Sequence, residues 1–166
     1  GIGPTDPRLR DTDGDGVDDG TEIGLTEPAT DGTDLDVFVA DADPSTTTDP
    51  NNPDSDQDAL PDGAEDHDGN GRVDAGETDP LDPDTDADGL PDGTEDLDHD
   101  GERDPRETDP LSDDSDSDGL GDATEDANAN GQRDDGETDP LDADSDDDGL
   151  TDATEDLDGD HTLDPG

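Results

Sequence analysis

The sequence predicts a mostly irregular tandem-repeat array with very little regular secondary structure, and three observations predict it. Only 19% of the 166 residues are hydrophobic, and Phe38 is the sole aromatic. The formal net charge is −53, from 59 acidic residues against six arginines and no lysine. A 30-residue period runs through most of the chain, with Gly or Pro in nearly every window. Apolar burial at about 25 cal/mol per Å² cannot, with so few apolar groups, offset an ordering cost of roughly 1–2 kcal/mol per residue. Composition alone would place such a chain among disordered acidic segments. Those, however, do not hold Asp, Gly and Glu in strict register.

The organisation follows from the repeat. The hexads TDPNNP (48–53), TDPLDP (78–83), TDPLSD (108–113) and TDPLDA (138–143) are each followed by two abutting twelve-residue blocks. We call the first of each pair leading (54–65, 84–95, 114–125, 144–155) and the second following (66–77, 96–107, 126–137, 156–166). The last following block stops one residue short, and a longer natural chain or a neighbouring subunit is expected to complete it. Residues 1–22 hold an earlier hexad, TDPRLR, and the leading block DTDGDGVDDGTE at 11–22. Residues 23–47 form an insertion, and residues 48–166 form four repeats. Within the repeats no 3.6-residue apolar period survives, and Asp-Pro and Asp-Gly pairs mark turns. Successive turns and loops are expected there.

Each block reads D-x-D-x-D-G-x-x-D-x-x-E with small variations. Ca²⁺ takes six to eight oxygen ligands at about 2.3–2.6 Å, and a twelve-residue loop supplies them from positions 1, 3, 5, 7, 9 and 12. Position 7 gives a backbone carbonyl, and Gly at position 6 permits the sharp turn. The candidate ligands of the first loop are therefore Asp11, Asp13, Asp15, Val17, Asp19 and Glu22. The loop at 54–65 offers Asp54, Asp56, Asp58, Leu60, Asp62 and Glu65. Its following block offers Asp66, Asp68, Asn70, Arg72, Asp74 and Glu77. Next come Asp84, Asp86, Asp88, Leu90, Asp92 and Glu95, then Asp96, Asp98, Asp100, Glu102, Asp104 and Glu107. The third repeat supplies Asp114, Asp116, Asp118, Leu120, Asp122 and Glu125, then Asp126, Asn128, Asn130, Gln132, Asp134 and Glu137. The last supplies Asp144, Asp146, Asp148, Leu150, Asp152 and Glu155, then Asp156, Asp158, Asp160, Thr162 and Asp164.

Eight complete blocks in register make calcium the expected cofactor, with about nine ions or more. The array is thus read as calcium-wrapped. Nine divalent ions, adding 18 charges to −53, still leave −35, so more than one ion per loop is compatible with the charge. The absence of Cys and the isolation of His67, His99 and His161 argue against zinc and copper. His67 and His99 read as solvated loop residues. Ala59 replaces the position-6 Gly, so strain is expected there, while Asn70, Asn128 and Asn130 lower the charge of their blocks. The final Glu of each leading block abuts the first Asp of the next, as at Glu65–Asp66 and Glu95–Asp96. That leaves no room for flanking helices and brings adjacent ions close together, bridged by shared carboxylates.

The DxDxDGLxDxxE blocks and TDP hexads, over residues 5–22 and 48–166, resemble the thrombospondin type 3 repeat family in its bacterial form. The resemblance implies an extended calcium-wrapped array in secreted or surface-anchored proteins, used as a spacer or stalk. Animal members staple their repeats with Cys pairs. This chain has none, which shifts stabilisation onto calcium.

Val17, Leu60, Leu90, Leu120 and Leu150 recur at position 7, and Leu81, Leu111 and Leu141 recur in the hexads. At one period apart they are expected to pair as a thin apolar seam. Asp79, Asp109 and Asp139 of the hexads are either further ligands or Asp-Pro turn residues. Residues 34–40 read as a short strand, packed against the first loop or offered to another chain by edge addition. A homo-oligomer or fibre through 31–47 and the chain ends is one expected partnership.

The expected function is a calcium-rigidified structural spacer or fibre subunit at the cell surface or outside the cell. The alternative is an acidic calcium reservoir or mineral-nucleating protein without fixed shape. An enzyme is not expected, since no nucleophile–base pair or phosphate loop can be read. Nucleic acid and anionic membranes would be repelled, and no apolar run approaches the roughly 20 residues of a membrane span.

Overall fold

The computed structural model describes residue 5, residues 9–28 and residues 38–155. The described chain is mostly irregular, as its composition predicts. It contains five single-turn helices: α1 (Asp19–Glu22), α2 (Asp62–Glu65), α3 (Asp92–Glu95), α4 (Asp122–Glu125) and α5 (Asp152–Glu155). Each occupies positions 9–12 of a leading block, a departure from the loops expected throughout the repeats. Two compact units are formed, Gly1–Pro83 with His99–Gly101, and Asp84–Asp98 with Glu102–Gly166.

The helical turns have a local cause. Position 8 is extended in each of the first four, with φ between −69° and −94° at Asp18, Pro61, Pro91 and Gly121. That puts the next carboxylate at the start of the turn, where a negative charge is favoured. The position-12 amide then bonds the position-8 carbonyl, as in Glu65 to Pro61 at 3.2 Å and Glu125 to Gly121 at 3.2 Å. The turn ends because the chain must start the next block: Asp66, Asp96 and Asp126 leave helical geometry at once. Four residues are too few for an apolar period, which is why the pattern was silent about them.

Two contacts repeat within the units. Position 10 of one leading block lies on positions 5 and 6 of the leading block before it. A Cβ on Gly63 would meet the Asp15 carbonyl oxygen at 2.3 Å, while Ala123 and Ala153 lie against Gly89 and Gly119, respectively. Small residues therefore fill position 10 at these contacts: Gly63, Ala123 and Ala153. The second contact sets position 6 of a following block against position 11 of an earlier helical turn. A Cβ on Gly101 would meet the Ala64 carbonyl oxygen at 2.1 Å, and one on Gly131 that of Thr94 at 2.3 Å.

The apolar seam is only partly realised. Val17, Leu60 and Leu90 are buried, whereas Leu150 is 46% exposed. The hexad leucines Leu81, Leu111 and Leu141 all face solvent. They sit one residue beyond Pro in tight turns, where no second layer exists to cover them. The buried remainder is chiefly carboxylate and threonine.

The insertion packs on its own chain. Residues 34–37 of the expected strand lie outside the described residues, and 38–40 are irregular. Thr21 donates to the Val39 carbonyl, the Asp41 amide to Leu25 (2.9 Å), and the Ala42 amide to Asn70 (2.7 Å). The described part of the proposed interface, 38–47, is thus engaged with the first loop and with the block at 66–77.

Candidate metal centres

Each leading loop is wound around its own acids. In the loops at 11–22, 54–65 and 114–125 the position-1 carboxylate accepts the amides of positions 4 and 6. Asp54 takes Gln57 at 2.7 Å and Ala59 at 3.2 Å, and Asp114 takes Ser117 at 2.7 Å and Gly119 at 3.1 Å. Asp84 and Asp144 take the position-6 amide on the carboxylate and the position-4 amide on the backbone carbonyl. The position-5 carboxylate accepts the position-7 amide, as in Asp58 to Leu60 and Asp88 to Leu90, both 2.7 Å. These bonds use some lone pairs and leave others pointing inward. The acids gather accordingly: Asp11, Asp13 and Asp15 form one group, Asp54, Asp56 and Asp58 a second, and Asp84, Asp86 and Asp88 a third. Within each group the ligand atoms lie within 4.8 Å of one another.

Wrapping three acids so tightly requires left-handed backbone at two places. Position 6 was expected to need it, and Ala59 does carry φ of +90°. Position 4 was not anticipated. There Gln57, Ala87, Ser117 and Asp147 all have φ between +62° and +70°. The signal was faint in the sequence, because only Gly14, Gly69 and Gly159 carry glycine at that position.

The position-12 glutamates turn back onto these groups and are buried: Glu22 is 1% exposed and Glu65 2%. Glu22 Oε1 accepts the Thr48 hydroxyl at 3.2 Å, and Glu65 Oε1 accepts Thr78 at 3.1 Å. The hexad threonine, which no ligand pattern marks, therefore seats the last acid of the loop before it. Oε2 of Glu22 and of Glu65 find no hydrogen-bond partner, and neither do the carboxylate oxygens of Glu95 and Glu125. Burial pushes these acids far above the usual carboxylate range, Glu22 to about 8, Glu65 to about 10, Glu95 to about 9 and Glu125 to about 8. The neighbouring acids add to the rise. Asp15 and Asp56 climb to about 7 for the same reasons.

Four of the described arginines pair with other acids. Arg10 pairs with Asp18, Arg72 with Asp74, Arg103 with Asp109 at 3.0 Å, and Arg133 with Asp139 at 3.4 Å. Asp109 and Asp139 also accept the amides of Leu111 and Leu141 at 3.2 Å. Turn formation plus an ion pair accounts for these hexad aspartates.

Position 9 behaves differently from its expected role in its own loop. Asp62, Asp92, Asp122 and Asp152 are wholly buried. Each holds position 2 of its block. The Ser55 amide and hydroxyl donate to Asp62 at 2.6 and 2.7 Å, and those of Thr85 to Asp92 at 2.9 and 2.6 Å. The Asp19–Thr12, Asp122–Ser115 and Asp152–Ser145 pairs repeat the arrangement. Position 2 is Ser or Thr in every leading block and in no following block, a signal present in the sequence.

Following blocks are built otherwise. Asp66, Asp96 and Asp126 are buried. Asp66 accepts the amides of Asn70 (3.0 Å) and Gly71 (2.6 Å). Glu77, Glu107 and Glu137 fold onto the position-9 amides of Asp74, Asp104 and Asp134 at 2.7 to 2.9 Å. Asp66, Asp68 and Glu77 still form a possible metal group. Asn70 gives its Nδ2 to Asp74 at 3.1 Å, while its Oδ1 is buried without a partner. Asn128 and Asn130 also donate to Asp134, each at 3.0 Å. Asp156, Asp158, Asp160, Thr162 and Asp164 lie outside the described residues. His67 and His99 are exposed. Asp41, not anticipated, is buried with Oδ2 unpartnered beside Gly71.

Comparison with protein-family models, with curated proteins and with solved structures finds no match. Among the described residues no helix is long and apolar enough to cross a membrane.

Proposed function

We propose that this chain is a calcium-binding structural module, folded and stiffened by multiple Ca²⁺ ions, that serves as an extracellular spacer or fibre subunit. The observation that carries the reading is the row of buried glutamates at the ends of the leading loops, each with a carboxylate oxygen left unpartnered and facing groups of aspartates. An uncompensated buried carboxylate is costly enough that it takes up a proton or a cation instead. The donor set is oxygen throughout, which suits a hard ion. The number of carboxylates per loop and the backbone carbonyl at position 7 favour calcium over magnesium, which keeps its waters.

The structural role follows from the missing core. With three buried aliphatic side chains among the described residues, ions must do what apolar packing does elsewhere. Extracellular modules bind in the range of about 10⁻⁴–10⁻³ M, so calcium outside a cell would load this one, and folding would follow loading by mass action. The resemblance to thrombospondin type 3 repeats agrees with a spacer role.

Small-angle scattering through a calcium titration tests the proposal. The expected outcome is an expanded coil that becomes a defined particle near millimolar calcium, reversed by a chelator. A chain that takes up calcium yet stays a coil would instead be the acidic reservoir.

A further inference from the structure

Asp62, at position 9 of its block, is committed to Ser55 through two hydrogen bonds, yet its carboxylate also lies against the previous loop. The ligand atoms of Asp15, Glu22 and Asp62 lie within 4.8 Å of one another. Asp15 and Glu22 belong to the loop at 11–22, whereas Asp62 belongs to the loop at 54–65. Glu22 is 1% exposed, and its Oε2 has no hydrogen-bond partner, as is also true of Asp15 Oδ2.

We infer that Asp62 ligates the cation of the preceding loop, so that within a unit a metal site is closed by a carboxylate from the next leading block. The inference rests on the calcium reading above and deepens it. The same placement recurs in the second unit. Asp122 is among the charges that act on Glu95, and Asp152 among those that act on Glu125. The backbone pins these junctions: Asp88 Oδ2 accepts the Ala123 amide at 3.2 Å, and Asp118 Oδ2 accepts that of Ala153 at 2.7 Å. A carboxylate has about four lone-pair positions, so Asp62 can hold Ser55 and still offer an oxygen to a metal. An ion shared this way ties two repeats together, and loading at one loop then requires the next to be folded. Stability becomes a property of neighbouring pairs, as in other repeat arrays.

A mutant cycle on the full chain, read as calcium bound per chain by equilibrium dialysis, tests this. The calcium concentration should be the lowest that saturates the wild type. D62N should lower the count by about one ion, since it removes a charged ligand. That loss should vanish in a D11N/D13N background, where the preceding site is already disabled, and persist in a D54N/D56N background. The inference is overturned if the loss vanishes only with D54N/D56N, or if D62N binds as the wild type does. S55A removes the hydroxyl partner of Asp62 but not the ligand, and should leave the count unchanged. If S55A reproduces the D62N loss, Asp62 is a staple and the inference falls. A wild type that takes up no calcium would sink the calcium reading itself, an outcome distinct from any in the cycle.

Discussion

In the leading blocks the position-12 glutamate is buried against its aspartates at the end of a helical turn, with an oxygen left unpartnered in Glu22, Glu65, Glu95 and Glu125. In the following blocks the same residue type bonds the position-9 amide of its own loop, and no helical turn forms among the described residues. One twelve-residue formula thus gives two structures. The difference lies at positions the formula leaves blank. Ser or Thr at position 2 of a leading block is held by the position-9 acid, which stations the helical turn beside the loop. His67, Leu97 and Ala127 at that place cannot supply the hydroxyl, and the turn does not form. The ligand letters mark where ions can go. The letters between them decide how strongly a cation is needed.

That contrast predicts its largest effect in pH. Glu22, Glu65, Glu95 and Glu125 have folded-state values raised to between about 8 and about 10 from an ordinary 4.5. A raised carboxylate value favours the fold while the group is protonated, and that support is lost as pH rises through the folded value. Without calcium, the chain should be most compact near pH 4 to 5 and should expand as pH climbs through about 8 to 10. Calcium loading at pH 7 should release protons, because the ion takes the place of the bound proton. At pH 10 the release should nearly disappear. Calorimetry in buffers of different ionisation heat reads it directly. No proton release at pH 7 would mean that the leading glutamates are already ionised in the metal-free chain.

A second effect separates the two block types at position 6, where both carry Gly for different reasons. In leading blocks the requirement is angular: Gly16, Gly89, Gly119 and Gly149 have φ between +98° and +117°, and Gly119 has Ala153 no nearer than 3.7 Å. In following blocks φ is only +71° to +76°, within reach of an L residue, but there is no space. Gly131→Ala would drive its Cβ into the Thr94 carbonyl and should destabilise the second unit by about 2–3 kcal/mol, the usual cost of overpacking. Gly119→Ala should cost only about 1 kcal/mol, from backbone strain. Calcium-dependent thermal unfolding of the two variants decides the ranking, and equal losses would erase the distinction.

How much of this was legible depends on the kind of signal. The poverty of regular structure and the gathering of Asp11, Asp13 and Asp15, of Asp54, Asp56 and Asp58, and of Asp84, Asp86 and Asp88 were readable, because Asp spacing and composition act locally. The helical turns at positions 9–12 were not, since four residues carry no periodicity. The hexad leucines misled: recurrence at one period marks an equivalent environment, which for Leu81, Leu111 and Leu141 is the surface. The roles of Thr48 and Thr78 and the placement of Asp62 beside Glu22 depend on contacts between segments 13 to 40 residues apart. No local pattern encodes those.

The smallest effect concerns the one leading block that breaks the formula. Ala59 sits where its counterparts are Gly, at φ +90° and exposed. The angular argument explains why an alanine can survive there: space is open at this position in leading blocks, so the only penalty is strain. Left-handed backbone costs a residue with a Cβ about 1–2 kcal/mol. Ala59→Gly removes that strain but adds roughly 0.4–1 kcal/mol of unfolded-chain entropy. The balance should stabilise the loop by about 0.5 kcal/mol, with calcium affinity slightly raised because the Asp54 cradle relaxes. Gln57→Gly, at φ +70° in the same loop, removes less strain for a similar entropy and should be close to neutral. Thermal unfolding at fixed calcium can resolve the pair. If Ala59→Gly lowers stability while Gln57→Gly raises it, position 4 and not position 6 is the strained corner of the leading loop.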